Sequence, residues 1–293
     1  TRMSLTLEDN TFHTKLNQLH DYLPIQENKK ISLIDGSITP RTKKDYFSIS
    51  CDVNVSKTTT HASKFFEQLF PNEQERIYVQ TVLGYCLTGR MDLRTFYVLY
   101  GSGSNSKSVL TVILKMILGE FYLNCSKSIV IKSKNSDTKG ASPELVQLIG
   151  KRLIVFSEGN CSDECQLNTD LIKNITGGDE LNARALYKNN ITFLANCKII
   201  LLSNYIPQST AEKAILDRIR FVNMTVRFSD DPKKGELKRD PEFIDKIIKP
   251  NINEFFTFLL EGSKTFYKNK IIQVPKTFKK FTEETLHAED SII

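Results

Sequence analysis

Between residues 94 and 228, short apolar runs alternate with stretches whose apolar residues recur at helical spacing. The runs are "TFYVLY", "RLIVF" and "CKIILLSN", rich in β-branched and aromatic residues. Runs of this kind suit strands buried on both faces, as in a parallel sheet covered by helices. Between the first two, "KSVLTVILKMIL" sets Val109, Leu110, Val112, Ile113, Met116 and Ile117 along one side of a helix. The alternation predicts an α/β domain of three layers, with a central, mostly parallel sheet.

The flanks carry other patterns. Residues 1–60 read as a small mixed region preceding the core. Within it, "ISLIDGSITP" places Asp35-Gly36 between two alternating runs, a hairpin signal, and "RTKKDYFSIS" starts polar and becomes strand-like. Residues 61–93 read as a helical, collar-like segment. Phe65, Phe66 and Leu69 share one side, Pro71-Asn72 interrupts, and Ile77, Val82, Leu83 and Cys86 resume the pattern. Residues 229–293 open on the charged "DDPKKGELKRD" and turn helical through Phe255, Phe258 and Leu259. No internal repeat is visible.

Composition changes this picture little. The chain has 293 residues, 40% hydrophobic and 25% charged, enough to bury a sizeable core. No apolar run approaches the roughly 18 residues of a membrane span, so no membrane partner is expected. The opening "TRMSLTLEDN" lacks a signal-peptide pattern and reads as the start of a piece of a longer protein. A net charge of +6 permits nucleic-acid binding without demanding it. Of six cysteines only Cys161 and Cys165 are close, and no second pair or nearby histidine completes a zinc site. They read as reduced, structural thiols of an intracellular protein.

Candidate chemistry begins at "YGSGSNSKS", Tyr100 to Ser108. The phosphate-loop pattern G-x-x-x-x-G-K-[S/T] fits from Gly101, except that Ser106 stands where the second glycine belongs. Serine there adds a Cβ and restricts φ, a strain the loop must tolerate. The context is right for a phosphate loop, with a strand before it and a helix opening out of it. Gly101, Gly103, Asn105 and Ser106 would then wrap the phosphates, Lys107 would reach the β- and γ-phosphates, and Ser108 would hold Mg²⁺. The alternative is a serine-rich connection that binds nothing.

Three later residues fit the same chemistry. Glu158 follows the apolar run Leu153 to Phe156, at the strand end facing the crevice where ligands bind in open α/β sheets. It can polarise an attacking water and contact the metal through water, although Ser157 replaces the aspartate usually found before it. Otherwise Glu158 is a rim carboxylate. Asn204 ends the next buried run and reads as a γ-phosphate contact or a turn former. Arg218 and Arg220 lie at a helix-to-strand corner. They read as an arginine finger for a neighbouring subunit or as a surface pair, and spacing alone does not choose.

Taken in order, "YGSGSNSKS", "KRLIVFSEGN", "LIKNITGGDELNARALYKNN", "CKIILLSNYIP" and "AILDRIRF" resemble superfamily 3 helicases. The likeness is greatest to primase–helicases of large DNA viruses of the poxvirus type, and extends to phage and plasmid primase–helicases. It covers roughly residues 20 to 285. The resemblance implies an AAA+-like ATPase core using ATP and Mg²⁺, assembled as a hexameric ring on single-stranded or forked DNA, moving 3′ to 5′. It implies Lys107, Ser108, Glu158 and Asn204 as one subunit's site. Arg218 would be the finger, with Arg220 a possible substitute, because Asp217 replaces an arginine often paired with it. It further implies a hairpin after Gly177-Gly178 whose tip, with Lys188 and Asn189, touches DNA phosphates, while the role of Arg184 stays open. Viral replication proteins would be partners, at cytoplasmic replication sites of an infected cell. A ring ATPase for DNA packaging or initiator remodelling, or a weakened structural phosphate-loop module, are the other readings.

Overall fold

The computed structural model describes residues 15–125, 143–157, 167–184, 190–205 and 213–290. Three short antiparallel strands come first, β1 (Tyr22–Ile25), β2 (Lys29–Ser32) and β3 (Ile38–Pro40). The expected hairpin joins β2 to β3, with Gly36 at φ +81° in its turn. The strand expected in "DYFSIS" does not form. Phe47, Ile49, Cys51 and Val53 do alternate inward, but this extended segment meets other backbone only at scattered points, such as Cys51 N–H to Pro24 O at 2.8 Å. Alternation records burial of one face, whereas a strand also needs a partner in register.

Two helices follow, α1 (Thr60–Leu69) and α2 (Glu73–Cys86), the second capped by the Asn72 side chain, which accepts from the Gln74 and Glu75 N–H groups. The stripe expected through Ile77 is displaced. Ile77 is 49% exposed while Tyr78, Val79 and Val82 face the core.

The core sheet contains β4 (Phe96–Tyr100), β5 (Tyr122–Cys125), β6 (Leu153–Ser157), β9 (Lys198–Ser203) and β10 (Ile219–Asn223). Its five strands are all parallel, in the order β10-β4-β9-β6-β5. Helix α3 (Lys107–Leu118) crosses from β4 toward β5, and α4 (Thr169–Gly177) leads into the antiparallel hairpin of β7 (Glu180–Arg184) and β8 (Asn190–Leu194). The fold is α/β, a parallel sheet flanked by helices, as the alternation predicted.

Each strand sends neighbouring side chains into two separate cores. Tyr97, Leu99, Val155, Ile200 and Leu202 join α1, α2, α3 and the β1–β3 sheet on one face. Phe96, Val98, Phe156, Ile199 and Leu201 pack with Ile172, Ile175 and Leu181 on the other. That two-sided burial explains why these runs are apolar throughout rather than alternating.

The C-terminal part adds a short parallel pair, β11 (Phe228–Ser229) and β12 (Leu237–Lys238), a π-helical turn at Ile244–Ile248, and helices α5 (Ile252–Asn269) and α6 (Lys276–Asp290). Helix α5 lies tightly on α2. A Cβ on Gly84 would sit 2.2 Å from the Ser263 nitrogen, and one on Gly262 would sit 2.0 Å from the Gln80 oxygen. Only glycine at both positions allows this approach.

Two buried cations fasten the base of the sheet. Arg152, just before β6, donates to the carbonyls of Leu87 (2.8 Å), Leu19 (3.1 Å) and Tyr22 (2.6 Å). Lys198 opens β9 and donates to the Thr88 carbonyl and hydroxyl. Burial pulls the Lys198 ammonium down to about 7. The cysteines Cys51, Cys86, Cys125 and Cys197 are free and buried, with burial raising each thiol to about 12. Such thiols are inert, in keeping with the structural reading; Cys161 and Cys165 lie outside the described residues. Among the described residues, no helix is long and apolar enough to cross a membrane.

Candidate functional site

Strand β4 ends at Tyr100, and the chain turns through residues 101–106 into α3. The sheet and its neighbours hold this loop from three sides. Gly101 N–H donates to Ser203 O at 3.2 Å, Met224 N–H to Tyr100 O at 2.8 Å, and Phe228 N–H to Ser104 O at 2.8 Å. Asn105, 4% exposed, folds beneath the loop and donates to Met224 O at 3.3 Å. A Cβ on Gly101 would lie 1.7 Å from the Asn105 amide nitrogen, so the glycine and the asparagine require each other.

The loop curls through left-handed backbone at Gly103 (φ +99°), Ser104 (φ +51°) and Ser106 (φ +61°). Ser106 therefore occupies the conformation that glycine adopts without cost, and its side chain makes no capping bond in return. Ser106→Gly is expected to stabilise the fold by about 0.5–1 kcal/mol, the left-handed penalty less the extra freedom of an unfolded glycine. A higher denaturant midpoint with an unchanged slope is the expected reading; a lower midpoint would show that the serine is compensated.

The curl leaves donors unpaired. Among the described residues, no acceptor meets the backbone N–H groups of residues 104 to 108. Those of residues 106 to 108 are the orphan donors of a helix start, at the positive end of its dipole. The Lys107 side chain, 8% exposed, lies with them and donates to Gly101 O at 2.5 Å and Asn204 Oδ1 at 2.8 Å. An ammonium has three N–H bonds, so one remains for a ligand. Burial lowers the Lys107 ammonium below the usual lysine range. The Ser108 hydroxyl is exposed beside it.

This arrangement suits a polyanion. Orphan N–H groups, a helix N-terminus and a buried ammonium together form a phosphate cradle. The exposed hydroxyl of Ser108 is an oxygen ligand of the kind Mg²⁺ takes. The residues present therefore fit a nucleoside triphosphate with its metal. Among the described residues, no group of three metal-ligating side chains offers an alternative all-protein metal site.

Strand order places the other candidates. Asn204 follows β9, the immediate neighbour of β4, which is why it reaches Lys107. Strand β6 is not a neighbour of β4, since β9 runs between them. It ends at Ser157, in register with Leu202, at the same sheet edge. Glu158, Lys188 and Asn189 lie outside the described residues. The strand pair of the hairpin expected after Gly177-Gly178 is present: α4 ends where Gly178 turns left-handed at φ +76°, and β7 pairs with β8 as far as Arg184 opposite Asn190. Arg218 and Arg220 are not in the cleft with Lys107. Arg218 precedes β10, where Ile219 registers with Phe96, so it sits at the opposite end of β4 from the loop. Arg220 registers with Tyr97, and its guanidinium donates to Ile219 O at 2.7 Å.

The cradle opens into a cleft of about 910 Å³ whose other walls were not anticipated. One is a face of α1 bearing His61, Lys64, Phe65 and Gln68; another is the segment from Lys238 to Ile247. The helical spacing of the four α1 residues was visible, but Phe65 read as core and hid the polar positions beside it. The approach of residues 238–247 depends on a long-range fold and leaves no local signal.

The chain matches a family model described only as a family of unknown function (DUF5906) over residues 99–218, from the end of β4 to Arg218. A protein of Acanthamoeba polyphaga mimivirus, provisionally named a helicase, is 32% identical over 85% of this chain and 26% of its own length. One of African swine fever virus, provisionally named a primase, is 24% identical over 72% of this chain and 22% of its own. One of Sputnik virophage, provisionally named a helicase, is 25% identical over 75% of this chain and 29% of its own. The chain thus spans about a quarter of the length of these relatives. Among solved structures, the C-terminal region of NrS-1 shares the fold, with a TM-score of 0.57 at 15% identity over 89% of this chain and 59% of that one. The kinship is with viral helicase- and primase-named proteins, the group whose resemblance the motifs carry.

Proposed function

We propose, from this kinship with primase–helicase-like proteins of large DNA viruses, that the chain is an ATP-dependent DNA helicase portion acting in viral DNA replication. The observation that carries the reading is the cradle: the unpaired N–H groups of residues 104 to 108 in the loop that carries the buried Lys107 ammonium, itself tied to Asn204. Lys107 holds the β- and γ-phosphates and Ser108 directs its hydroxyl to the metal. When bound, Mg²⁺ neutralises phosphate charge. Asn204, its Oδ1 held by Lys107, offers its amide N–H to the γ-phosphate or the attacking water, and Glu158 polarises that water.

The finer assignments complete a superfamily 3 reading. Subunits form a hexameric ring around single-stranded or forked DNA, and Arg218 of one serves the cradle of the next. The β7–β8 hairpin presents Lys188 and Asn189 to the DNA backbone, with Arg184 at its last paired position. Hydrolysis drives the strand 3′ to 5′. The site of action is the infected cell, at cytoplasmic replication sites, alongside other viral replication proteins.

The test is unwinding. A forked duplex with a 3′ tail is expected to open with ATP and Mg²⁺ and to stay closed when either is withheld. DNA-stimulated hydrolysis without strand separation would favour packaging or initiator remodelling. Absence of hydrolysis would favour a weakened structural module, the outcome toward which the strained Ser106 points.

A further inference from the structure

We propose that His61 reads the nucleoside half of the bound nucleotide by accepting a hydrogen bond from it, and that Glu254 positions the His61 ring to do so. The inference rests on the nucleotide-binding reading above.

The two sides of the cleft offer different chemistry. The loop side presents donors, the N–H groups of residues 104 to 108 and Lys107, which suit phosphate oxygens. The α1 side presents His61, Lys64, Phe65 and Gln68, at i, i+3, i+4 and i+7, one face of a helix. Phe65 packs against Phe243 at 5.5 Å between ring centroids, with Ile244 and Ile247 also lining the cleft. That apolar surface suits the flat face of a base.

On this side of the cleft Gln68 and Asp240 also carry acceptor oxygens. Lys64, Lys238 and Arg239 can only donate. Asn204 Oδ1 is engaged by Lys107, and Asp240 Oδ1 by the Glu242 N–H at 2.9 Å. His61 differs because of what lies behind it. Glu254, on α5 and 9% exposed, accepts from His61 N–H at 2.7 Å and from the Thr58 hydroxyl at 3.1 Å, and sits 3.2 Å from His61 Nδ1. Burial pushes the Glu254 carboxyl up, but the bonds from His61 and Thr58 outweigh it and hold the group below the usual range, as a carboxylate. A carboxylate only accepts, so Nδ1 carries the proton of the neutral ring and Nε2 is left as an acceptor. The ligand group it fits is a donor on the nucleoside, either the exocyclic amino group of adenine or the ribose 2′-hydroxyl. Guanine carries a carbonyl where adenine carries that amino group.

Two substitutions separate recognition from a purely structural role. His61→Asn keeps a donor at the Nδ1 position toward Glu254 but removes the outer acceptor. His61→Gln reaches the Nε2 position but gives up the contact with Glu254. His61 is half exposed, so both variants are expected to fold. Equilibrium binding is measured for ATP, purine riboside triphosphate, dATP, GTP and inorganic tripolyphosphate. His61→Asn is expected to weaken ATP about tenfold, the loss of one hydrogen bond, and His61→Gln by less than about threefold. Tripolyphosphate affinity is expected to be unchanged in both. If the donor is the amino group, purine riboside triphosphate and GTP bind wild type and His61→Asn alike; if it is the ribose, dATP does. Wild-type ATP binding by His61→Asn overturns the proposal, because the ring then merely pins α1. Failure of wild type to bind either ATP or tripolyphosphate overturns the phosphate-loop reading, and this one with it.

Discussion

Lys107→Ala is expected to lower ATP turnover by about 10²–10³-fold, the scale of removing one preorganised donor from a developing anion. The chain fixes this lysine before any ligand arrives. Its ammonium is buried between Gly101 O and Asn204 Oδ1, and α3 begins at the same residue. A charge held in place costs no reorganisation when phosphate charge builds up, so its removal falls on the rate. The fold should survive, because Asn204 is exposed and water can take over its acceptor. Far-ultraviolet circular dichroism and the denaturation midpoint check that point, and steady-state phosphate release checks the rate. Turnover equal to wild type would remove the enzymatic reading, whatever the DNA behaviour.

The parts of this site that could be read from the sequence are those made by consecutive residues. "YGSGSNSKS" announces a loop because strand, turn and helix N-terminus follow one another in the chain, and Ser106 stands out because backbone sterics are local. The sheet was legible for a related reason: burial on both faces makes each strand apolar at every position, so β4, β6 and β9 declare themselves. Strand order was not legible. That β9 intervenes between β4 and β6, and so brings Asn204 to Lys107, depends on pairing between strands distant in the chain. The α1 wall was missed for a third reason. Phe65 belongs to the core and to the cleft at once, so a stripe read as packing also carried His61, Lys64 and Gln68 to the cleft wall.

Arg218→Ala is expected to leave ATP affinity near wild type and to slow hydrolysis by about 10³–10⁵-fold, the range for loss of an arginine finger. The register of the sheet determines how such a residue can act. Strand β10 runs parallel to β4 with Ile219 opposite Phe96 and Asn223 opposite Tyr100. Arg218 therefore lies at the start of β4 while the loop leaves its end, roughly 16 Å away at about 3.3 Å per residue. Its side chain also points back along its own helical turn, with Nη1 donating to Ala214 O at 2.6 Å and Nε buried without an acceptor among the described residues. It cannot reach the phosphates of its own subunit, so any catalytic role must be in a neighbour's site. Mixing decides the matter. Arg218→Ala subunits keep a complete cradle and Lys107→Ala subunits keep a complete finger, so each is inactive alone and the mixture should recover part of the turnover. Arg220→Ala is the control for the substitute role, since Arg220 lies two residues further along, paired with Tyr97, and its guanidinium donates to Ile219 O. A mixture no more active than its components would place Arg218 in the packing of this corner and leave the transition-state cation to be sought elsewhere.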